Sequence, residues 1–181
     1  YEYPSEDPIL AGTMSAQAVN GAAENGVYAY MKHFAGNDTD EGRNGQFKWM
    51  TEQSLREIWA KPGEIATKVG GANAMMASVD RVGATRVTGS YALLETVLRG
   101  EWGFRGSVIT DYYQGGNVND LDEGIRAGND LALLPGGTHT VFDEDKGTWS
   151  ATGVKALQKS AHNILFTYID TVNRTNRATL Y

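Results

Sequence analysis

The chain of 181 residues contains no cysteine, only three histidines, and no apolar run long enough to cross a membrane. Without cysteine there can be no disulfide and no thiolate metal site, although this leaves the compartment undecided. The histidines, His33, His139 and His162, are scattered and form no HExxH pattern, so no metal ligand set is expected. A membrane span needs about eighteen consecutive apolar residues, and none is encoded. Positive charge is also short: the formal net charge is −6. That argues against a nucleic-acid or anionic-membrane partner and suits a neutral substrate. No GxSxG elbow supports a serine nucleophile, and no glycine-rich fingerprint after a strand supports a nucleotide fold. The opening "YEYPSEDP" has neither an initiator methionine nor a signal-like segment, so a fragment or processed chain is expected.

Periodicity supplies the elements. Asp7-Pro8 is a helix start, with Leu10, Met14, Ala18 and Ala22 at four-residue spacing as its apolar face and Asn25-Gly26 as its stop. Residues 27–31 read as a short strand with Lys32 and His33 directly after it. The polar loop 35–50 is long enough to be functional or mobile. Thr51 caps a second helix with a stripe of Leu55, Ile58, Trp59, Ile65, Ala66 and Val69, which Pro62 should kink. Residues 72–79 form a buried run ending at Asp80-Arg81. A helix carrying Leu93, Leu94, Val97 and Leu98 leads through Trp102, expected in the core, to "SVIT" and Asp111. A short helix through Leu121 and Ile125, a strand in "DLALLPGG", and a final helix with Val154, Leu157, Ala161, Ile164, Leu165, Tyr168 and Val172 complete the pattern, followed by a polar tail at 176–181.

Apolar strands alternating with amphipathic helices mean parallel βαβ units. In such folds the carboxyl ends of the strands form the active face. Three successive runs end in ionisable groups: Lys32-His33, Asp80-Arg81 and Asp111. Each alone has a structural explanation, since a carboxylate after a strand caps the next helix and a lone histidine can be a satisfied core residue. Three together point to a site. Tyr112, next to Asp111, either packs or faces a sugar.

The segments "SEDPILAG", "KHFAGND", "GR", "LREIWAKP", "LLETVLRGEWGFRGSVITD" and "AGNDLALLPG" occur in this order. Together they resemble glycoside hydrolase family 3, the β-glucosidase and β-xylosidase type, over residues 1 to about 137 and more loosely over the last helix. The resemblance implies part of a (β/α)8 TIM-type barrel covering residues 1–175, its strands 4 to 7, and retaining hydrolysis of β-linked glycosides. It makes Asp111 the nucleophile, Lys32 and His33 ligands of sugar hydroxyls, Arg43 a pocket-shaping residue and Tyr112 an aromatic neighbour of the sugar. No cofactor is implied. A retaining glycosidase needs one attacking carboxylate and an acid about 5–5.5 Å from it. A cation beside the first, such as Lys32, favours its ionised form.

Three departures stand out. Where the family has tyrosine then asparagine, this chain has Val79 and Asp80; where it has tryptophan after the nucleophile, Tyr112 stands; and the family's earlier substrate-binding aspartate and arginine have no counterpart. The resemblance implies an acid/base on a separate domain, and Asp40 and Glu41 read as solvated loop charges. The N-acetylglucosaminidase branch ranks low, because "AGNDTDEG" has no histidine. The expected partners are a β-glucoside or related oligosaccharide, together with the remaining half of the barrel and the domain carrying the acid, or a second copy of the chain. Two other readings stay open: a non-catalytic carbohydrate-binding or assembly segment, and an aldolase with Lys32 as Schiff base and "LLPGG" around a phosphate.

Overall fold

A computed structural model describes residues 2–43, 45–112, 121–133 and 150–178. Three strands, β1 (Met31–Phe34), β2 (Ala74–Ala77) and β5 (Ser107–Thr110), form a parallel sheet in the order β1-β2-β5. The sheet is unevenly covered: Met75 and Val108 are fully buried, whereas Met76 and Ile109, paired on the opposite face, are only half-buried. Phe34, Met75, Leu94, Leu98 and Val108 are almost fully buried, and Trp102 joins them edge-on to Phe34 at 5.6 Å between ring centroids. The expected strand in "DLALLPGG" is represented by Leu131, bridged in parallel to Ile109; residues 134–138 lie outside the described ones. β1 also begins four residues later than expected, so Lys32 and His33 lie within the strand.

Helix α1 (Pro8–Glu24) starts as its sequence predicts. The Asp7 carboxylate accepts from the Ile9 and Leu10 N–H groups at 2.8 and 2.9 Å. Its buried face is not the expected one. Ala11, Gly12, Ala16, Val19 and Ala23 face inward, while Leu10, Met14 and Ala18 are exposed. The reason is close approach to α3 (Lys61–Lys68): a Cβ on Gly12 would lie 2.8 Å from Ile65 Cδ1. Helices this near to each other admit only small side chains between them.

The expected kinked helix after Thr51 is instead a succession of pieces. The short α2 (Glu52–Ser54) runs into a π-type turn (Leu55–Trp59), the chain breaks at Ala60, and α3 begins anew with Pro62 in its first turn, where proline needs no donor. Ile58 and Val69, assigned to the apolar stripe, are exposed. The helix Ala92–Glu101 is π-type throughout and buries Leu93, Leu94, Val97 and Leu98 as expected. A small antiparallel hairpin, β3 (Arg81–Val82) with β4 (Thr85–Arg86), follows β2 and was not foreseen. It gives the long loop an anchor: Lys48 N–H donates to Arg81 O at 3.2 Å, and Gly83 N–H donates to Lys48 O at 2.8 Å.

The short α4 (Leu121–Arg126) matches its expectation. The last helix, α5 (Ala151–Ala178), runs into the segment expected as a polar tail. It also inverts the expected orientation. Ser160, Asn163, Thr167 and Thr171 are buried, while Val154, Leu165, Tyr168 and Val172 are exposed. The inward polar stripe satisfies backbone groups at the amino ends of β2 and β5. Ser107 N–H donates to Thr167 Oγ1 at 2.8 Å, and Thr167 Oγ1 donates to Asn73 O at 2.8 Å. Asn163 Nδ2 donates to Asp130 Oδ1 at 2.9 Å. The other oxygen of Asp130 accepts from Arg99 at 2.7 Å and from Val108 N–H at 2.8 Å. Gly106 completes this seam, since a Cβ there would overlap Asn73 O.

Buried donors and acceptors at a strand end must find partners. Thr167→Val keeps the shape but removes the hydroxyl that accepts from Ser107 N–H and donates to Asn73 O, leaving Ser107 N–H only its longer bond to Asn73 O at 3.2 Å. Denaturant titration should show a loss of about 1–3 kcal/mol, whereas Tyr168→Ser on the exposed face should change stability by less than about 0.5 kcal/mol. Equal effects of the two substitutions would contradict this orientation of α5.

Candidate active site at the carboxyl ends of the strands

The three strands end at one level. Ser78 N–H donates to Phe34 O at 2.7 Å, and Asp111 N–H donates to Ala77 O at 3.0 Å. His33, Asp80 and Asp111 therefore arrive at the same edge of the sheet. All three are buried. His33 Nε2 lies 3.4 Å from Asp111 Oδ2, and Arg43 NH1 reaches the same oxygen at 3.6 Å. Neither contact completes a hydrogen bond, so among the described residues Asp111 Oδ2 is buried without a hydrogen-bond partner. The other oxygen, Oδ1, accepts from Tyr112 N–H at 2.6 Å. The carboxylate is thus anchored by one oxygen, while the other is buried beside His33 and Arg43 without a hydrogen bond among the described residues.

The loop 35–50 folds back over this edge. Arg43 is held by Asp40 at 2.9 Å. Lys48 Nζ donates to Gly36 O and to Asp38 Oδ1 at 2.5 and 2.7 Å, and lies 3.3 Å from Asp80 Oδ1. Asp80 Oδ2 accepts from Ser78 Oγ at 3.1 Å. Between these groups sits the Asn37 amide. Its neighbours are satisfied when Nδ2 donates to Asp80 Oδ2 at 2.9 Å and Oδ1 accepts from Arg43 NH1 at 3.2 Å. Burial raises the Asp80 pKa above the ordinary carboxylate value, and Lys48 pulls it back. Burial likewise lowers the His33 pKa, against the opposing pull of Asp111. Tyr3 flanks the other side: His33 N–H donates to its hydroxyl at 3.3 Å, and burial pushes the Tyr3 phenol up to about 12. A cavity of about 480 Å³, lined in part by Tyr3, His33, Phe34, Asn37 and Trp59, opens beside this group.

Of the residues singled out from the sequence, the structure brings together Asp111, His33 and Arg43. Tyr112 contributes its backbone N–H, and its side chain is exposed. Lys32 is not within ion-pair distance of Asp111: its Nζ pairs with Glu2 at 2.8 Å. The cation beside Asp111 is Arg43, at 3.6 Å, rather than Lys32. Asn37, Lys48 and Tyr3 were missed. Asn37 stands within "KHFAGND", four residues after His33, and Lys48 is the one basic residue between two aromatics of the loop. Nothing in the sequence marks Tyr3.

A parallel α/β sheet whose strand ends carry a buried carboxylate, a histidine and an arginine has the layout of a TIM-type barrel enzyme, in which the reacting groups sit on several strands. The chain matches the model of the glycosyl hydrolase family 3 N terminal domain over residues 2–164, and it belongs to that family. Beta-glucosidase B of Emericella nidulans is 41% identical over 138 residues, which cover 76% of this chain and 16% of that protein. A beta-glucosidase of Ruminococcus albus is 33% identical over 91% of this chain and 18% of its own length. Among solved structures, beta-glucosidase 3B from Thermotoga neapolitana in complex with glucose superposes with a TM-score of 0.81 at 31% identity, covering 98% of this chain and 26% of that one. The chain therefore spans about a sixth to a quarter of the length of these relatives. The expected fold class holds: the parallel βαβ units are part of a TIM-type barrel.

The lowered His33 pKa has a measurable consequence. The neutral ring contributes stability in full above its ordinary value of 6.5. As pH falls from 6.5 towards the lower folded value, the unfolded chain takes up the proton first, and that contribution is lost. The Tm of the chain should therefore drop more steeply between about pH 7 and 5 than that of His33→Gln, which lacks the titrating ring. Parallel slopes would show that His33 is not held neutral.

Proposed function

We propose that this chain is part of the catalytic domain of a retaining β-glycosidase, with Asp111 as nucleophile. The observation that carries the reading is the buried Asp111 carboxylate: Oδ1 is fixed by Tyr112 N–H, and Oδ2 has no hydrogen-bond partner. Attack at an anomeric carbon needs such an oxygen, held in place but not blunted by a donor. Arg43 and His33 border the position of the sugar ring and can bond its hydroxyls, Arg43 as donor and His33 as donor or acceptor. Lys32 joins them only if its ion pair with Glu2 opens. Beta-glucosidase relatives support β-glucosides as the substrate class.

The acid is the missing partner. Asp40 is engaged by Arg43, Asp38 by Lys48, and Glu2 by Lys32. Asp80 is fully buried. None of these four described carboxylates presents a free carboxyl opposite Asp111, which supports the acid on a separate domain that the family resemblance implies. The same polypeptide would cover the free edge of β1 and the exposed apolar residues of α1 and α5, among them Leu10, Met14, Leu165, Tyr168 and Val172. An uncovered edge and apolar faces of this kind favour association. The alternatives fare worse. A Schiff-base role for Lys32 finds no support in its solvent-facing ion pair, and the "LLPGG" segment lies mostly outside the described residues.

The decisive test is covalent trapping. In the longest natural polypeptide that carries this sequence, a 2-deoxy-2-fluoro-β-glucoside should label the peptide containing Asp111, and Asp111→Asn should abolish the label; a label on another carboxylate would remove Asp111 from the role. For the 181-residue chain alone, size-exclusion chromatography with light scattering should show association rather than a stable monomer. Aryl β-glucosides should be turned over poorly or not at all. A clean monomer with turnover dependent on Asp111 would contradict the incomplete-site reading.

A further inference from the structure

The Asp80 carboxylate is connected to the histidine beside Asp111. It is fully buried, and Asn37 is the link. The amide atom of Asn37 that faces Arg43 also lies 3.3 Å from His33 Nδ1. We propose that Asp80 is a positioning residue which, through Asn37, fixes the proton of neutral His33 on Nδ1 and so keeps Nε2 from donating to Asp111 Oδ2.

The argument follows donors and acceptors. An ionised carboxylate only accepts, so Asn37 must turn Nδ2 to Asp80. Its Oδ1 then faces both Arg43 NH1 and His33 Nδ1. An oxygen there accepts, so the ring nitrogen opposite it carries the proton. A neutral imidazole has one N–H, and Nε2 is therefore the bare nitrogen. Asp111 Oδ2 then stands 3.4 Å from a lone pair and not from a donor, which accounts for a buried carboxylate oxygen with no hydrogen bond. The opposite amide orientation would put Asn37 Oδ1 against the Asp80 carboxylate and Nδ2 against Arg43. It becomes acceptable at Asp80 only when that group is protonated or replaced by one that can donate, and it further requires Arg43 NH1 to turn from Asn37 to its carboxylate partners Asp40 and Asp111. His33 Nε2–H would then bond Asp111 and weaken it as a nucleophile.

Several charges bear on this coupling. Lys48, Asp38 and Arg86 act on Asp80. Asp111, Lys32, Glu2 and Arg43 act on His33, and the Tyr3 hydroxyl receives its backbone N–H. Lys48 is the group that favours the ionised form of Asp80, and burial opposes it. The inference draws its catalytic meaning from the nucleophile reading of Asp111, but the proton position can be measured without turnover.

The experiment is long-range nitrogen–proton NMR of the histidine rings in the 181-residue chain, with His33 assigned by His33→Gln. Near neutral pH, His33 should show the Nδ1–H tautomer. In Asp80→Asn, whose amide can donate, the Nε2–H tautomer should gain population, and in an Asn37→Ala background the same substitution should no longer move the His33 nitrogens. An Nε2–H tautomer in the unsubstituted chain, or a tautomer indifferent to Asp80→Asn in a folded variant, would overturn the proposal. If Asp80→Asn does not fold, the unsubstituted chain still answers. The Asp80 carboxyl carbon and the His33 nitrogens must titrate with a shared midpoint on the acid side, and separate midpoints would overturn the coupling. Failure of 2-fluoro-glycoside trapping would sink the nucleophile reading and leave these spectra unchanged.

Discussion

The hydrogen bond from Asp111 N–H to Ala77 O is the rung on which the site depends. It is the last step of the parallel register that pairs Ala74 with Ser107 and Ala77 with Thr110. A slip of one residue would send Asp111 to the opposite face, because side chains alternate along a strand. Gly106 helps to set this register at the other end of β5, where the strand passes so close to Asn73 that no side chain fits. The α5 hydroxyls then clamp the same end, so the position of one carboxylate is fixed from both ends of a four-residue strand.

Electrostatics explain the rest of the arrangement. Buried carboxylates are costly unless paired and hydrogen-bonded. Asp130 meets this requirement in full, with Arg99, Val108 N–H and Asn163 about it, and it serves the seam between α5 and the sheet. Asp80 and Asp111 do not, since one oxygen of each lacks a hydrogen bond. A satisfied carboxylate at the amino ends, Asp130, and two incompletely satisfied ones at the carboxyl ends, Asp80 and Asp111, distinguish the two edges of the sheet. This is the division expected of barrel enzymes.

The parts of this division that follow from local pattern were legible in the sequence. Asp7-Pro8 predicted the start of α1, "SVIT" predicted β5, and the ionisable strand ends predicted the edge where His33 and Asp111 meet. What failed were inferences from hydrophobicity alone. The large apolar residues of α1 and α5 were read as inward-facing. Close helix packing demanded alanine and glycine at one site, and unpaired strand termini demanded threonine and asparagine at the other. Period cannot reveal such demands, because they arise from the neighbouring element. Asn37 and Lys48 were hidden because their partners, Asp80 and the β3–β4 hairpin, lie more than thirty residues further along the chain.

Replacing an amide by a carboxylate at position 80 changes the charge of the site. Asp38, Asp40, Asp80 and Asp111 surround Arg43 and Lys48, while Lys32 and Glu2 cancel each other at the rim. With His33 neutral, negative charge is in excess. Such a pocket gains nothing from binding a neutral sugar in its ground state. It gains when positive charge develops at the anomeric carbon, as in the oxocarbenium-like transition state of glycoside cleavage. Under the proposed nucleophile role of Asp111, the cost of burying Asp80 would be borne in the resting protein and offset only during reaction. Lys48 keeps that cost tolerable: it pairs with Asp38 and approaches Asp80 without cancelling both, which leaves the field at Asp111 negative.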